Sequence, residues 1–320
     1  MKRSIAALIL PLFLAATAAL AQTYPSKPVR VLIPWPPGGS NDIVGRVVFQ
    51  KVSEQSGQQF IIDNRGGAAG SIGAEIVAKS PADGYTIMVH SATHVANAHL
   101  YKKLPYDTLR DFIGVTPLAV QVGMLAVHPS LPAKTVREFI ALAKARPGEI
   151  IYGSSGNGSF VHLTMALLNS MTGTTMVHVP YKGGGPAAIG IASGETQAMI
   201  ATIGALIPQI RANQVRPLGV TSATRVKLFP DVPTLSEAGV PGYEFTARIG
   251  AFAPAGTPRP IVDWLGEEIK KALGNPDVAR ILSSQTLDPW FMTPEDFATR
   301  LKADDEKYAK LIKLTGAHVD

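Results

Sequence analysis

Val29-Arg-Val-Leu-Ile-Pro-Trp-Pro-Pro-Gly-Gly-Ser-Asn-Asp42 is the stretch around which this chain is organised. Its first five residues form a short, β-branched run that reads as a buried strand. Pro34, Pro36 and Pro37 end the strand, because proline has no N–H for a sheet ladder. Gly38 and Gly39 permit a close turn, and Ser40, Asn41 or Asp42 is placed to cap the following helix. A strand that feeds a glycine turn into a helix leaves several backbone N–H groups without partners. The helix dipole adds to their pull on an anion, by about 0.3–1 kcal/mol at an exposed end.

The pattern recurs. Residues 42–56 read as a helix stopped by Gly57, and residues 60–63 as a second strand. Asn64-Arg-Gly-Gly-Ala-Ala-Gly-Ser-Ile-Gly73 opens a helix ending near Ser80. Residues 85–89 form a third strand that runs into His90-Ser-Ala-Thr-His94. This βαβαβ order predicts a parallel sheet with right-handed crossovers and ligand-facing turns along one edge. After a strand at 124–127 and a helix over 130–145, a second round begins. Strands at 150–152, 177–179 and 198–201 lead into Gly153-Ser-Ser-Gly-Asn-Gly-Ser159, Pro180-Tyr-Lys-Gly-Gly-Gly-Pro186 and Thr202-Ile-Gly204. Residues 217–221 make a further strand, and residues 248–253 a return strand. Helices are expected at 258–273, capped by Thr257, at 277–284 and at 294–314, the last wrapping the first lobe. The fold class is therefore α/β, with two lobes and a ligand cleft between them.

Length and composition agree. A chain of 320 residues can bury two cores, and charged residues at 17% are too sparse for a disordered segment. Lys2 and Arg3, the apolar run 5–14 and Ala19-Leu20-Ala21 read as a signal peptide over residues 1–21, cleaved before Gln22. The product is expected in the periplasm. With no cysteine there are no disulfides, thiolate nucleophiles or lipid-anchoring thiol. The net charge of +6 becomes 6 − 2 = +4 without Lys2 and Arg3, and the basic residues are scattered, which argues against nucleic acid.

Catalytic chemistry fits poorly. Ser154 and Ser155 lack the flanking glycines of a nucleophile elbow, and His162 lies in the following helix. His90 and His94 share the spacing of a helical metal pair, but His90 ends a strand and no Glu completes a zinc motif. Gly67-Ala-Ala-Gly70-Ser-Ile-Gly73 has the wrong spacing for a dinucleotide fingerprint, and there is no Walker lysine. No metal or cofactor is expected. Donors without an acid, base or nucleophile favour binding over turnover.

Several motifs in matching order resemble the substrate-binding proteins of tripartite tricarboxylate transporters, the Bug or TctC type. They are Tyr24-Pro-Ser-Lys-Pro28, the 34–42 turn, Asn64-Arg-Gly-Gly-Ala-Ala-Gly70, Ala82-Asp-Gly-Tyr-Thr86 and the 153–159 turn. Further on come His178-Val-Pro-Tyr-Lys-Gly183, Phe229-Pro-Asp-Val-Pro-Thr234 and Ala253-Pro-Ala-Gly-Thr-Pro258. The resemblance implies a two-lobed, type II-like periplasmic binding protein, each lobe a mostly parallel sheet flanked by helices. Its lobes would be residues 22–122 with 245–320, and residues 123–244. It implies a small organic carboxylate held by backbone N–H groups, hydroxyls and ordered water, and delivery to membrane permease subunits by a monomer. Carried onto this chain, the contacts are Trp35, Gly38, Gly39, Ser40, Asp42, Ala68, Ala69, Ser91 and Thr93. From the second lobe they are Ser154, Ser155, Gly156, Ser159 and Thr202. Trp35 stands where many relatives have Phe, and Ala201-Thr202-Ile203 where many carry an acidic or amide group, so a ligand without a positive charge is expected. Alternatives are an exported ligand sensor for a membrane receptor and an exported hydrolase.

Overall fold

The computed structural model describes residues 24–319, so the expected leader and its cleavage site lie outside the described residues. In the first lobe β1 (Val29–Ile33) leads through α1 (Ser40–Ser56) to β2 (Phe60–Asn64). α2 (Ser71–Ala78) then leads to β3 (Thr86–Ser91). β1 lies between β2 and β3, and all three are parallel. Arg30, the polar intruder in β1, is accommodated by Asp63 on β2, its Nη2 donating to Oδ2 over 2.6 Å. α3 (Thr93–Leu100) and β4 (Phe112–Val127) follow.

Two of these elements depart from the sequence reading. The sequence does not announce α3, because its buried face includes His94 and Asn97 as well as Val95, Ala96 and Leu100, which obscures an apolar stripe. β4 starts twelve residues before the expected strand. Pro117 argues against a sheet interior, but register shifts between Gly114 and Thr116 and between Pro117 and Ala119 absorb it.

The second lobe takes α4 (Val136–Ala145), β5 (Ile151–Ser154), α5 (Phe160–Thr172), β6 (Val177–Pro180), α6 (Gly184–Ala192), β7 (Ala198–Thr202), α7 (Ile203–Arg211) and β8 (Arg216–Val220). β5 is parallel to β6 and β7. α4 begins after the expected start, since its cap is Thr135, whose hydroxyl accepts from Glu138 N. The chain returns through β9 (Thr246–Pro254), α8 (Arg259–Leu273), α9 (Pro276–Ser284), β10 (Leu287–Pro289) and α10 (Pro294–Thr315).

β4 joins the two sheets. Residues Phe112 to Val122 pair antiparallel with β9, which pairs with β3. From Gly123 to Val127 the same strand pairs with β7, and from Met124 also with β8. One strand therefore changes partners between Val122 and Gly123, which makes it one physical link between lobes, the chain's return into β9 being another.

Each lobe has its own core. Val29, Val31 and Ile33 pack with Phe49, Leu265 and Ile269 beneath α1 and α8, while Leu32, Met88, Phe252 and Phe297 fill the opposite face. The second-lobe core holds Phe139, Leu163, Ile200, Tyr243 and Phe245. It also holds Tyr308, Leu311 and Ile312 of α10, whereas Phe297 at the other end of that helix belongs to the first lobe. α10 thus straddles both lobes instead of wrapping one. Two expected caps are also corrected. α1 is capped by Gly39 without a side-chain bond, and Thr257 donates its hydroxyl to Pro254 O (2.7 Å) while Pro258 takes the cap position of α8.

Candidate functional site

In the parallel parts of both sheets the carboxyl ends of the strands face one cleft. The turns after β1, β3, β5, β6 and β7 line a cavity of about 560 Å³, its open mouth included. Each turn runs directly into a helix: Gly39, Ser40 and Asn41 open α1, Thr93 opens α3, and Ser159 to Val161 open α5. Gly184 to Pro186 open α6, and Thr202 caps α7. Five helix N-termini thereby converge. Only α5 has a side-chain cap, Ser159 Oγ accepting from His162 N; α1, α3, α6 and α7 have none. No side chain caps their first turns, and their dipoles sum toward the same space. Among the described residues, no Asp, Glu, Lys, Arg or His lines this cavity.

The walls are held rigidly from behind. Asp42 points away from the cavity: its carboxylate accepts from Gly38 N (2.9 Å), Arg46 Nε (2.9 Å) and Asn64 Nδ2 (2.9 Å). Burial pulls the Asp42 pKa up, but these donors outweigh it and hold the carboxyl below its ordinary range. Trp35 is a buried wall of the cavity, and its Nε1 donates to His90 Nδ1 (3.3 Å). Burial keeps His90 neutral, its pKa well below the usual imidazole value, as that acceptor role requires. The His90 ring fits only because Gly70 has no side chain: a Cβ there would lie 2.3 Å from Nε2.

In the second lobe Ser154 is fully buried. Its Oγ lies 2.6 Å from His178 Nε2 and accepts from Gly156 N (3.1 Å), so it braces the turn and is not presented to a substrate. His178 stacks on His162, with ring centroids 4.1 Å apart and planes within 7°, and on Tyr152. His162 Nδ1 accepts from Gly158 N (3.0 Å). Desolvation lowers the His162 pKa to about 4 and that of His178 to about 3, so both support the turn as neutral rings.

Of the residues named from the sequence, Trp35, Gly39, Ser40, Ser91, Thr93, Ser155, Ser159 and Thr202 come together around the cavity. Ala68, Ala69 and Gly156 line an adjoining outer chamber instead. Gly38, Asp42 and Ser154 are in neither wall. Sequence reasoning missed Asn41, Gln121, Phe160, Val161, Gly184, Gly185, Pro186 and Ala205. Gln121 had a signal, being an amide in an apolar strand, buried just before β4 changes partners; its Oε1 has no hydrogen-bond partner in the protein.

The two lobes touch. Ser40 Oγ donates to Thr202 Oγ1 (3.0 Å), and Pro36 packs on Gly183. His90 and His94 lie side by side, their ring centroids 5.4 Å apart and their planes tilted by 34°, in contact with Trp35, Tyr106, Phe112 and Phe252. No helix among the described residues is long and apolar enough to cross a membrane.

Comparison with known proteins agrees with this architecture. Residues 44–317 match the tripartite tricarboxylate transporter family receptor, TctC. The chain is 37% identical to a protein encoded in the tcbD–tcbE intergenic region of Pseudomonas sp. (strain P51), over 97% of this chain and 93% of that one. It is 33% identical to BugT of Bordetella pertussis, over 94% and 93%. The solved structure of R. palustris Rpa4515 with adipate superimposes with a TM-score of 0.89 at 36% identity, over 92% of this chain and 99% of that one. MatC from Rhodopseudomonas palustris with bound malate gives 0.85 at 29%, over 90% and 100%. Two lobes that share the strand β4, a cleft ringed by helix N-termini and these matches along nearly the whole chain lead to one assignment: the chain belongs to the tripartite tricarboxylate transporter receptor family, of the Bug/TctC type.

Proposed function

We propose that this protein is a periplasmic solute-binding protein that captures a small organic carboxylate between its lobes and delivers it to the permease subunits of a tripartite tricarboxylate-type transporter. The observation that carries the reading is the ring of helix N-termini, four without side-chain caps, around a cavity with no charged side chain. An anion there is stabilised by N–H groups and dipoles already in place, so little reorganisation opposes binding. A cationic group would find no carboxylate to pair with, which favours acids that carry no amino group. The relatives solved with adipate and malate support the same ligand class.

In this reading the lobes are residues 22–122 with 245–320, and residues 123–244, and they close about β4. Trp35, Gly39, Ser40, Ser91, Thr93, Ser155, Ser159 and Thr202 contact the ligand directly, while Gly38, Asp42 and Ser154 fix the turns. The protein acts as an exported monomer after removal of residues 1–21. A micromolar site corresponds to about −8 kcal/mol. Several charge-assisted bonds of about 1.5–3 kcal/mol each are sufficient after association costs.

A thermal-shift screen of small carboxylates, amino acids and sugars tests the proposal. At a hundred times its dissociation constant a bound acid adds about 2.7 kcal/mol of stability, and solution scattering should show compaction with the same acids. Stabilisation by sugars or amino acids alone, or by nothing in the panel, would refute it.

A further inference from the structure

Most polar side chains in the cavity wall are already engaged within the protein. Ser40 Oγ donates to Thr202 (3.0 Å), Ser91 Oγ donates to Thr93 (3.2 Å), and Ser159 Oγ accepts from His162 N. Two amides are not. Asn41 and Gln121 are only 8% and 4% exposed, and their carbonyl oxygens are shut away from solvent without a hydrogen-bond partner. Among the described residues, neither amide nitrogen has a protein partner either. With the oxygen ends closed off, the NH₂ ends are the ones left for the cavity that both side chains line. An unsatisfied buried amide lowers stability, and native proteins keep few such groups without a use.

The two amides reach the cavity from different directions. Asn41 lies in the first turn of α1, whose N-terminus has no side-chain cap. Gln121 comes from β4, where its backbone is held between Ala247 of β9 and Leu287 of β10. It stands two residues before Gly123, the point at which β4 takes up its second-lobe partners.

We infer that Asn41 and Gln121 are specificity-determining residues, whose amide N–H groups donate to the anionic group of the ligand from the helix end and from the strand shared by the lobes. This rests on the carboxylate reading of the cavity. A neutral amide supplies two N–H donors and no net charge. It therefore holds an anion without the desolvation cost of a buried lysine or arginine. The stability given up by leaving both oxygens unpaired is recovered only when a ligand accepts from the nitrogens.

Calorimetric titration of the mature protein with adipate, malate, succinate and benzoate, together with melting curves of the unliganded protein, tests the inference. Gln121→Met and Asn41→Ala remove no hydrogen bond within the protein, so their unliganded melting temperatures should equal or exceed that of the wild type. Their dissociation constants for the acids that bind should rise roughly 10- to 150-fold, as for loss of one hydrogen bond to a charged group. Gln121→Glu should weaken binding more than Gln121→Met, because it loses the donors and also brings a like charge to the anion. A lower melting temperature, or unchanged affinity, in both Gln121→Met and Asn41→Ala would give the amides a structural role and overturn the inference while the carboxylate reading stands. Failure of all four acids to bind the wild-type protein would overturn both.

Discussion

Ser40, the first residue of α1, and Thr202, the cap of α7, belong to different lobes and meet across the cleft through a 3.0 Å hydroxyl–hydroxyl bond. Both are more than nine-tenths buried. The contact makes the two anion-attracting helix ends members of one closed surface. A neutral hydrogen bond of this kind contributes about 0.5–1.5 kcal/mol. Ser40→Ala and Thr202→Val should each weaken ligand binding roughly 2- to 10-fold. The unliganded variants should also have a larger radius of gyration by solution scattering. An unchanged radius together with unchanged affinity would show that the contact does not favour closure.

Gly183 should be intolerant for a related reason. Its φ is +123°, and a Cβ there would stand 3.1 Å from Pro36 Cγ in the other lobe. Gly183→Ala should lower affinity about tenfold by propping the cleft open, in addition to the backbone strain of about 1 kcal/mol that an alanine meets in such a conformation. Gly148→Ala separates the two effects: Gly148 also has positive φ, with nothing within 4 Å of the added Cβ. It should lose stability in urea titration and keep full affinity.

Acid should destabilise the protein through its buried imidazoles. His94 has its pKa lowered to about 3, His162 to about 4 and His178 to about 3, in each case chiefly by desolvation. Between those values and the unfolded value near 6.5, the unfolded chain binds more protons than the folded one, so stability falls as pH falls through this window. Urea midpoints measured from pH 7 to pH 4 should decline steadily. His178→Asn should make the decline shallower. A midpoint independent of pH across this range would contradict the argument.

Arg248 on β9 and Asp304 on α10 form a buried ion pair, with Nη1 donating to both carboxylate oxygens at 2.6 and 2.8 Å. Their side chains are 11% and 4% exposed. Truncating one partner leaves the other charge buried, so Asp304→Ala should cost about 3–5 kcal/mol in urea unfolding. Asp305→Ala, which removes the more exposed pair with His99, should cost less than about 1 kcal/mol. Equal losses would mean that α10 is not anchored through Asp304.

What could be read along the chain was whatever depends on neighbours in sequence. The run at Val29, the proline and glycine stops after it, and the helix start at Pro294 follow from local periodicity and from backbone chemistry that operates over a few residues. So does the alternation that makes each lobe an α/β sheet with its turns on one edge.

Direction and long-range contact were decided only in three dimensions. Asp42 and Ser154 sit in glycine turns like true wall residues, but partners on other elements, Asn64 for the first and His178 for the second, draw them out of the cavity. Gln121 and Gly184 reach it because β4 crosses from one sheet to the other and α6 swings its N-terminus inward. α10 joins both cores because Phe297 and Tyr308 find apolar partners in different lobes. Sequence spacing sets which groups are near each other on one element. Which groups face each other across the cleft is set by packing between elements far apart in the chain, and the ring of uncapped helix ends exists only as the outcome of that packing.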